Sequence, residues 1–326
     1  MRAAFRRVGV ELESAADKTL ATVTHPLADL LRRYRTATKY AGSYGAKWLG
    51  HLTAGGRAYP HWKPNATATG RMSCADPNMQ NLPRDPRYRG CVVAPPGRLL
   101  VKADYSQIEL RVAAAIAAEP TMIAAYRRGD DLHRLTAAAV LKKPVAEVTK
   151  ADRQLAKALN FGLLYGGGAD MLAAYARASY KVTMTTDQAA AYRAAFFRTY
   201  PRLAVWHQRQ GGGYGAADTR TRGGRRRLGV TRYTEKLNSP IQGTAADGLK
   251  AALALLWDRR HDHPTAFAVL VAHDEILIEC DATGAEGVKA WLVAAMVDGM
   301  TPFCAPVPVV VETRVGATWA AGGDQE

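Results

Sequence analysis

Two apolar β-type runs in this chain carry acids at their ends, and that placement constrains the fold more than any other feature. The first, RLLVKADYS at 98–106, puts Asp104 at the end of a run that otherwise favours burial. The second, FAVLVAHDEILIECD at 267–281, has two β-type halves on either side of His273 and Asp274. That is the pattern of a hairpin with acids at its turn. Taken singly, Asp104 reads as a residue capping the next helix and Asp274 as an ordinary turn residue. They stand 170 positions apart (274 minus 104), yet both fall at the edge of what reads as one sheet. Two carboxylates meeting there repel unless a cation lies between them.

The segments around these runs set the fold class. CVVAPPGRLLVKADYS predicts strand, Pro-Pro-Gly turn, strand, and QIELRVAAAIAA after it turns helical. Residues 1 to about 50 read as helical and basic, and 51–98 as loops and short strands. Residues 121–210 read as mostly helical. QGGGYGAADTRTRGGRRRLG at 210–229 reads as a flexible, strongly basic connection, and GTAADGLKAALALLWDRR at 243–260 as a helix. WLVAAMVDGM follows as a helix and VPVVVETRVG as a strand. Strands thus cluster at 90–105 and 267–313 around a helical block. The expected class is α/β in the α+β sense, an antiparallel sheet interrupted by a helical insertion.

Composition narrows the partners. The 326 residues suit one large domain or two to three subdomains. The formal net charge of +15 points to a polyanion, nucleic acid before a membrane surface. No run of 18 apolar residues appears, and the first twenty residues lack the apolar centre of a secretory signal, so no membrane partner is expected. The four cysteines have no C-x-x-C spacing, which argues against zinc and suits reduced thiols in cytoplasm.

Hard divalent ions prefer oxygen ligands, and Mg2+ takes one or two carboxylates plus substrate phosphates. Two such ions about 3.5–4 Å apart are hardware for phosphoryl transfer. RQLAKALNFGLLYG supplies a matching helix. Arg153, Lys157, Phe161 and Tyr165 recur every fourth residue, so one face carries two cations and then two aromatics. Cations suit a triphosphate and a ring suits a nucleobase. The plainer reading is an amphipathic helix with a basic rim, but a core face would exclude Arg and Lys.

These residues resemble the polymerase portion of the family A DNA polymerases, of the bacterial repair-polymerase and phage-replicase type. The match rests on DYSQIELR at 104–111, R-x3-K-x3-F-x3-Y-G at 153–166, and HDE at 273–275. TGRMSCADPNMQNLPR at 69–84, NSPIQGTAADGLKAAL at 238–253 and the final VGATW fit the same family. The resemblance implies a right-hand fold with an antiparallel palm sheet, a helical fingers insertion and a partial thumb. Its boundaries would be 1–66 for the partial thumb and connection, 67–115 and 236–326 for the palm, and 116–235 for the fingers.

The resemblance also implies roles. Asp104, Asp274 and the Tyr105 carbonyl would hold two Mg2+ ions, for which Mn2+ could substitute, with Glu275 as a supporting acid. Lys157 would protonate the leaving pyrophosphate, while Arg153 and His133 contact the phosphates. Tyr165, Phe161, Gln107 and Glu109 would complete the dNTP site. Glu109 would hold Tyr165 and fill the space of a ribose 2′-hydroxyl; Phe161 is the version that discriminates against dideoxynucleotides. Arg71, Gln80, Asn81, Asn238, Gln242 and His273 would touch primer–template DNA.

The chain departs from the family pattern at its N-terminal part. Only about 60 residues precede TGRMS, and LLRRYRTATKYAGSYGAKWL resembles the thumb segment leading into the palm. No exonuclease-type acidic cluster precedes it, so no proofreading is expected in this chain. It reads either as a piece of a larger or split polymerase, with a separate exonuclease or thumb-bearing subunit as partner, or as a natural short form with weak grip on duplex DNA. Thr234 stands where the bacterial pattern has Arg. The rivals are a single-subunit RNA polymerase, against which SQIELR argues, and a non-catalytic DNA-binding remnant, against which the intact acids argue.

Overall fold

Alternation along RLLVKADY sets the centre of the fold. In the structure, a computed structural model describing residues 1–211 and 215–321, Arg98–Tyr105 forms strand β1. Val101, Ala103 and Tyr105 are buried on one face, and Lys102 and Asp104 are half-buried on the other. Three strands join it: β2 (Phe267–Ala272), β3 (Glu275–Asp281) and β4 (Val311–Gly316). The order is β2-β3-β1-β4 and each neighbouring pair is antiparallel, as expected from the sequence. The β2–β3 hairpin turns on His273 and Asp274, with Ala272 opposite Glu275.

The apolar face of the sheet packs against the Ala285–Cys304 helix, which also meets the Ile108–Ala117 helix. The Tyr105 ring enters this core, and its hydroxyl donates to the Met296 carbonyl at 2.7 Å. A buried phenol needs such a partner, because an unpaired hydroxyl in apolar surroundings is costly.

Contacts divide the chain into two compact units. The sheet-bearing unit comprises Pro60–Asp130 and the chain from Tyr200 onward; the other comprises Met1–Tyr59 and Asp131–Thr199. The second is helical, with Pro26–Tyr44, Leu132–Leu141, Lys150–Leu164, Ala169–Tyr180 and Thr186–Thr199 as its longer helices. The Lys150–Leu164 helix begins with a reciprocal cap. Thr149 accepts from the Asp152 amide, and Asp152 accepts from the Thr149 amide. Its buried face is Leu155, Ala156, Leu159, Leu163 and Leu164. Among the described residues no helix is long and apolar enough to cross a membrane.

Three segments differ from the sequence reading. Residues 91–93 are not a strand: Val93 makes only an isolated bridge to Thr318, because it is exposed and two prolines follow it. The basic connection is in part ordered. Ala217–Arg220 pairs with Arg226–Val230, although residues 212–214 lie outside the described residues. Most of its positions face outward, so the strands carry no apolar alternation to detect. The 243–260 helix starts at Tyr233 and runs to Asp258 through Pro240. Proline removes an interior hydrogen bond. Burial from Lys236 to Leu256 along the helix offsets that loss.

Glu119 ties the sheet-bearing unit together across the excursion of the chain. Its carboxylate is fully buried. One oxygen accepts from the Thr121 amide at 3.1 Å, capping the Pro120–Arg128 helix. The other accepts from the amides of Arg202 at 2.8 Å and Leu203 at 3.3 Å, at the start of the Pro201–Gly211 helix. We expect Glu119→Ala to cost about 2–4 kcal/mol, since two helix starts lose their cap and three N–H groups, one buried and two part-buried, lose their acceptor. Chemical denaturation checks this; an unchanged midpoint would show that the double cap is dispensable.

Candidate active site

The strand register brings the two distant acids together. Asp104 lies opposite Glu275 of β3 and opposite Glu312 of β4. The Tyr105 amide donates to the Asp274 carbonyl at 3.4 Å. Asp104 and Asp274 therefore meet at one end of the sheet, with further acids in the same row. Like charges directly opposite across strands are destabilising. Burial raises the Asp104 carboxyl to about 8, and the charge of Asp274 adds to the rise. Burial also raises the Asp274 carboxyl, against the pull of Arg71 and Arg84.

The surrounding acids are not equivalent. Glu275 is engaged elsewhere: one oxygen accepts from Trp319 Nε1, and the other lies 3.5 Å from Arg89 and 4.0 Å from Lys102. The Arg89 guanidinium stacks 4.2 Å from the Trp319 ring centre. Glu109 accepts from Arg71 at 2.5 Å. One Asp104 oxygen, by contrast, is buried with no hydrogen-bond partner among the described residues. An orphaned carboxylate oxygen, a second acid beside it and the adjacent Tyr105 carbonyl form a hard-oxygen donor set that fits a divalent cation. Among the described residues no three His, Cys, Asp or Glu side chains are grouped to cage a metal.

Backbone strain flanks both acids. His273, in the hairpin turn, has φ 60°, and Gln107, before the Ile108–Ala117 helix, has φ 52°. Non-glycine residues hold this left-handed conformation at a cost of roughly 1–3 kcal/mol, and such strain concentrates at functional sites. Gln107 is fixed there by accepting from the Tyr126 hydroxyl at 3.2 Å.

The expected DNA-contact residues cluster in the same unit. Gln80 donates to the Val271 carbonyl at 3.0 Å, beside the hairpin. The Asn81 amide donates to Asn78 at 3.2 Å. Asn238 and Gln242 are half-buried one turn apart on the Tyr233–Asp258 helix. Arg84, Arg89, Trp319 and Glu312 were missed from the sequence. Arg84 and Trp319 end two of the motif segments, so position was their signal; Arg89 and Glu312 gave none.

The helical unit holds the other group. Arg153 donates to Asp131 at 2.6 Å, and Asp131 also caps the Leu132–Leu141 helix through the His133 amide. His133 is buried, and burial lowers its imidazole to about 4, so it is neutral. Asn160 Nδ2 lies 2.7 Å from His133 Nδ1. With the amide as donor, the ring proton sits on Nε2. The Phe161 ring is 5.8 Å from His133. Arg153, Lys157, Phe161 and Tyr165 share the half-exposed stripe, although Tyr165 falls just past the helix end as its C-cap.

Comparison with known proteins decides the family. The model of DNA polymerase family A matches residues 9–321. The chain belongs to that family. It is 42% identical over 269 residues to DNA polymerase I of Aquifex aeolicus, covering 81% of this chain and 46% of that protein. It is 34% identical over 333 residues to the thermostable DNA polymerase I of Thermus aquaticus, covering 96% of this chain and 38% of that protein. The chain thus spans less than half the length of these curated relatives. It resembles the POL domain of Pol1 from M. smegmatis, solved in complex with DNA primer-template and dNTP. There the TM-score is 0.82 at 26% identity, over 98% of this chain and 60% of that one.

In this family A chain the raised Asp104 pKa links site and stability. The folded state holds the proton more tightly than the unfolded state, whose carboxyl titrates at about 4. The contribution is fully present below about pH 4 and is lost as pH rises toward 8. We therefore expect Asp104→Asn, in chelator, to raise Tm by a few degrees at pH 8 and to leave it unchanged at pH 4. Equal shifts at both pH values in calorimetry would remove the assignment.

Proposed function

We propose that the chain adds deoxynucleotides to a primer 3′-hydroxyl under template direction, with release of pyrophosphate. The observation that carries this reading is the meeting of Asp104 and Asp274 at one end of an antiparallel sheet in a family A chain. In this reading residues 67–115 and 236–326 are the palm, 116–235 the fingers and 1–66 the thumb remnant. Asp104, Asp274 and the Tyr105 carbonyl hold two Mg2+ ions, or Mn2+ in their place. Such ions, when bound, supply Lewis-acid stabilisation of phosphate charge and a lower pKa for the attacking hydroxyl.

The chain's own side chains orient the substrates. Arg153 and Lys157, one turn apart, bind the triphosphate, and Lys157 gives a proton to the leaving pyrophosphate. His133 is neutral, so it contacts phosphate as an Nε2 donor and adds no charge. Phe161 and Tyr165 face the base and sugar, and Glu109 excludes a ribose 2′-hydroxyl. Arg71, Gln80, Asn81, Asn238, Gln242 and His273 contact the primer–template. Minor-groove acceptors are nearly alike for every correct pair, so donors there check geometry without reading sequence. The half-buried Asn238 and Gln242, one turn apart, support that role.

Primer extension by the purified chain with Mg2+ tests the reading. We expect the chain to extend with dNTPs and to reject rNTPs. Asp104→Ala or Asp274→Ala should reduce addition at least about a thousandfold and spare binding of primer–template. Near-normal turnover in either variant would remove the metal assignment, and equal use of rNTPs would favour an RNA polymerase.

A further inference from the structure

We propose, on the polymerase reading above, that Arg225 is a positioning residue that fixes the spacing of Arg71 and Gln242, two side chains assigned to the primer–template. Arg225 follows the turn of the Ala217–Arg220 and Arg226–Val230 hairpin, and its side chain points inward. Its Nε donates to Asp247 at 3.0 Å and its NH2 donates to the Gly243 carbonyl at 3.0 Å. Its own amide donates to the Thr221 hydroxyl at 3.1 Å. The guanidinium is therefore held by two acceptors, and the Arg225 backbone by a third.

The slot it fills has glycine walls. A Cβ on Gly70 would fall 2.1 Å from Arg225 Cζ. A Cβ on Gly243 would fall 2.8 Å from Arg225 NH2 and 3.1 Å from the Thr69 carbonyl. Neither wall tolerates a side chain while the guanidinium is in place. Gly70 immediately precedes Arg71, and Gly243 immediately follows Gln242.

The two neighbours cannot relax independently. The Gly70 amide donates to the Thr67 carbonyl at 2.9 Å, and the Thr67 hydroxyl donates to the Arg71 carbonyl at 2.9 Å. The loop bearing Arg71 is thus a closed turn, which moves as a piece when its wall moves. Arg71 in turn donates to Glu109. Gln242 sits on the Tyr233–Asp258 helix, whose Asp247 anchors the same guanidinium. One planar group therefore sets the gap between a loop and a helix. Lysine lacks the rigid fork that spans it.

The simpler reading of GRRR is attraction of DNA phosphates. Arg225 is spent on Asp247 and Gly243, and its neighbours are paired as well: Arg226 with Asp218, and Arg227 with Glu235 and Ser239. A residue that acts through others leaves a distinct signature in binding. The test measures Kd for a primer–template duplex by anisotropy, without nucleotide, across a salt series. We expect Arg225→Ala and Arg225→Lys each to weaken binding about fivefold or more with an unchanged salt slope. In an Arg71→Ala, Gln242→Ala background the same changes should cost less than about twofold.

Unchanged affinity would overturn the proposal. A salt slope lower by about one would overturn it too, because Arg225 would then touch a phosphate itself. A full effect persisting in the double background, or loss of the fold in both variants, would also do so. A wild-type chain that binds primer–template but adds no nucleotide fails the polymerase reading alone, since this assay needs no chemistry. One without such affinity overturns both.

Discussion

The structure turns on a repulsion. An antiparallel register places Asp104 between Glu275 and Glu312 and beside Asp274, where burial and like charge both oppose ionisation. A sheet selected for stability alone would not hold such a row. The packing beneath it bears the cost: Val101, Ala103 and Tyr105 are buried on the opposite face, against the Ala285–Cys304 helix.

The remaining polar groups sort the acids by task. Glu275 is tied to Trp319 and Arg89, so the VGATW segment closes on the acidic end of the sheet. Glu109 is tied to Arg71, which draws the 67–71 loop to the Ile108–Ala117 helix. At this end of the sheet, among the described residues, an oxygen of Asp104 is left unsatisfied. Neighbouring carboxylates thus differ in availability because their partners differ. The same division appears in the basic run: Arg225 is turned inward to Asp247, and its charge serves spacing more than attraction.

Much of this was legible in the residues. Periodicity marked β1 and the Arg153–Tyr165 stripe, because each has a buried face opposite a polar one, and apolar β-type content marked the hairpin halves, of which Glu275–Asp281 is buried on both faces. Ordered motifs carried the family. The 217–230 hairpin was not legible, since strands with both faces largely wet leave no alternation. Nor was the length of the Tyr233–Asp258 helix, since Pro240 is a local stop that only surrounding burial overrides. Arg89 and Glu312 had no local signature, because a cation or an acid acquires its role from what lies across the sheet.

The sequence by itself determined where the central strands and the Arg153–Tyr165 helix form, that the chain is basic, and which acids and cations are chemically suited to phosphate. Those properties are local, set by side-chain period and residue type. Only the tertiary structure decided that Asp104 sits beside Asp274, that Glu275 is engaged by Trp319, that His133 is held neutral and that Arg225 fills a glycine slot. Strand register and burial join residues hundreds of positions apart, and no local pattern encodes the electrostatic field that results.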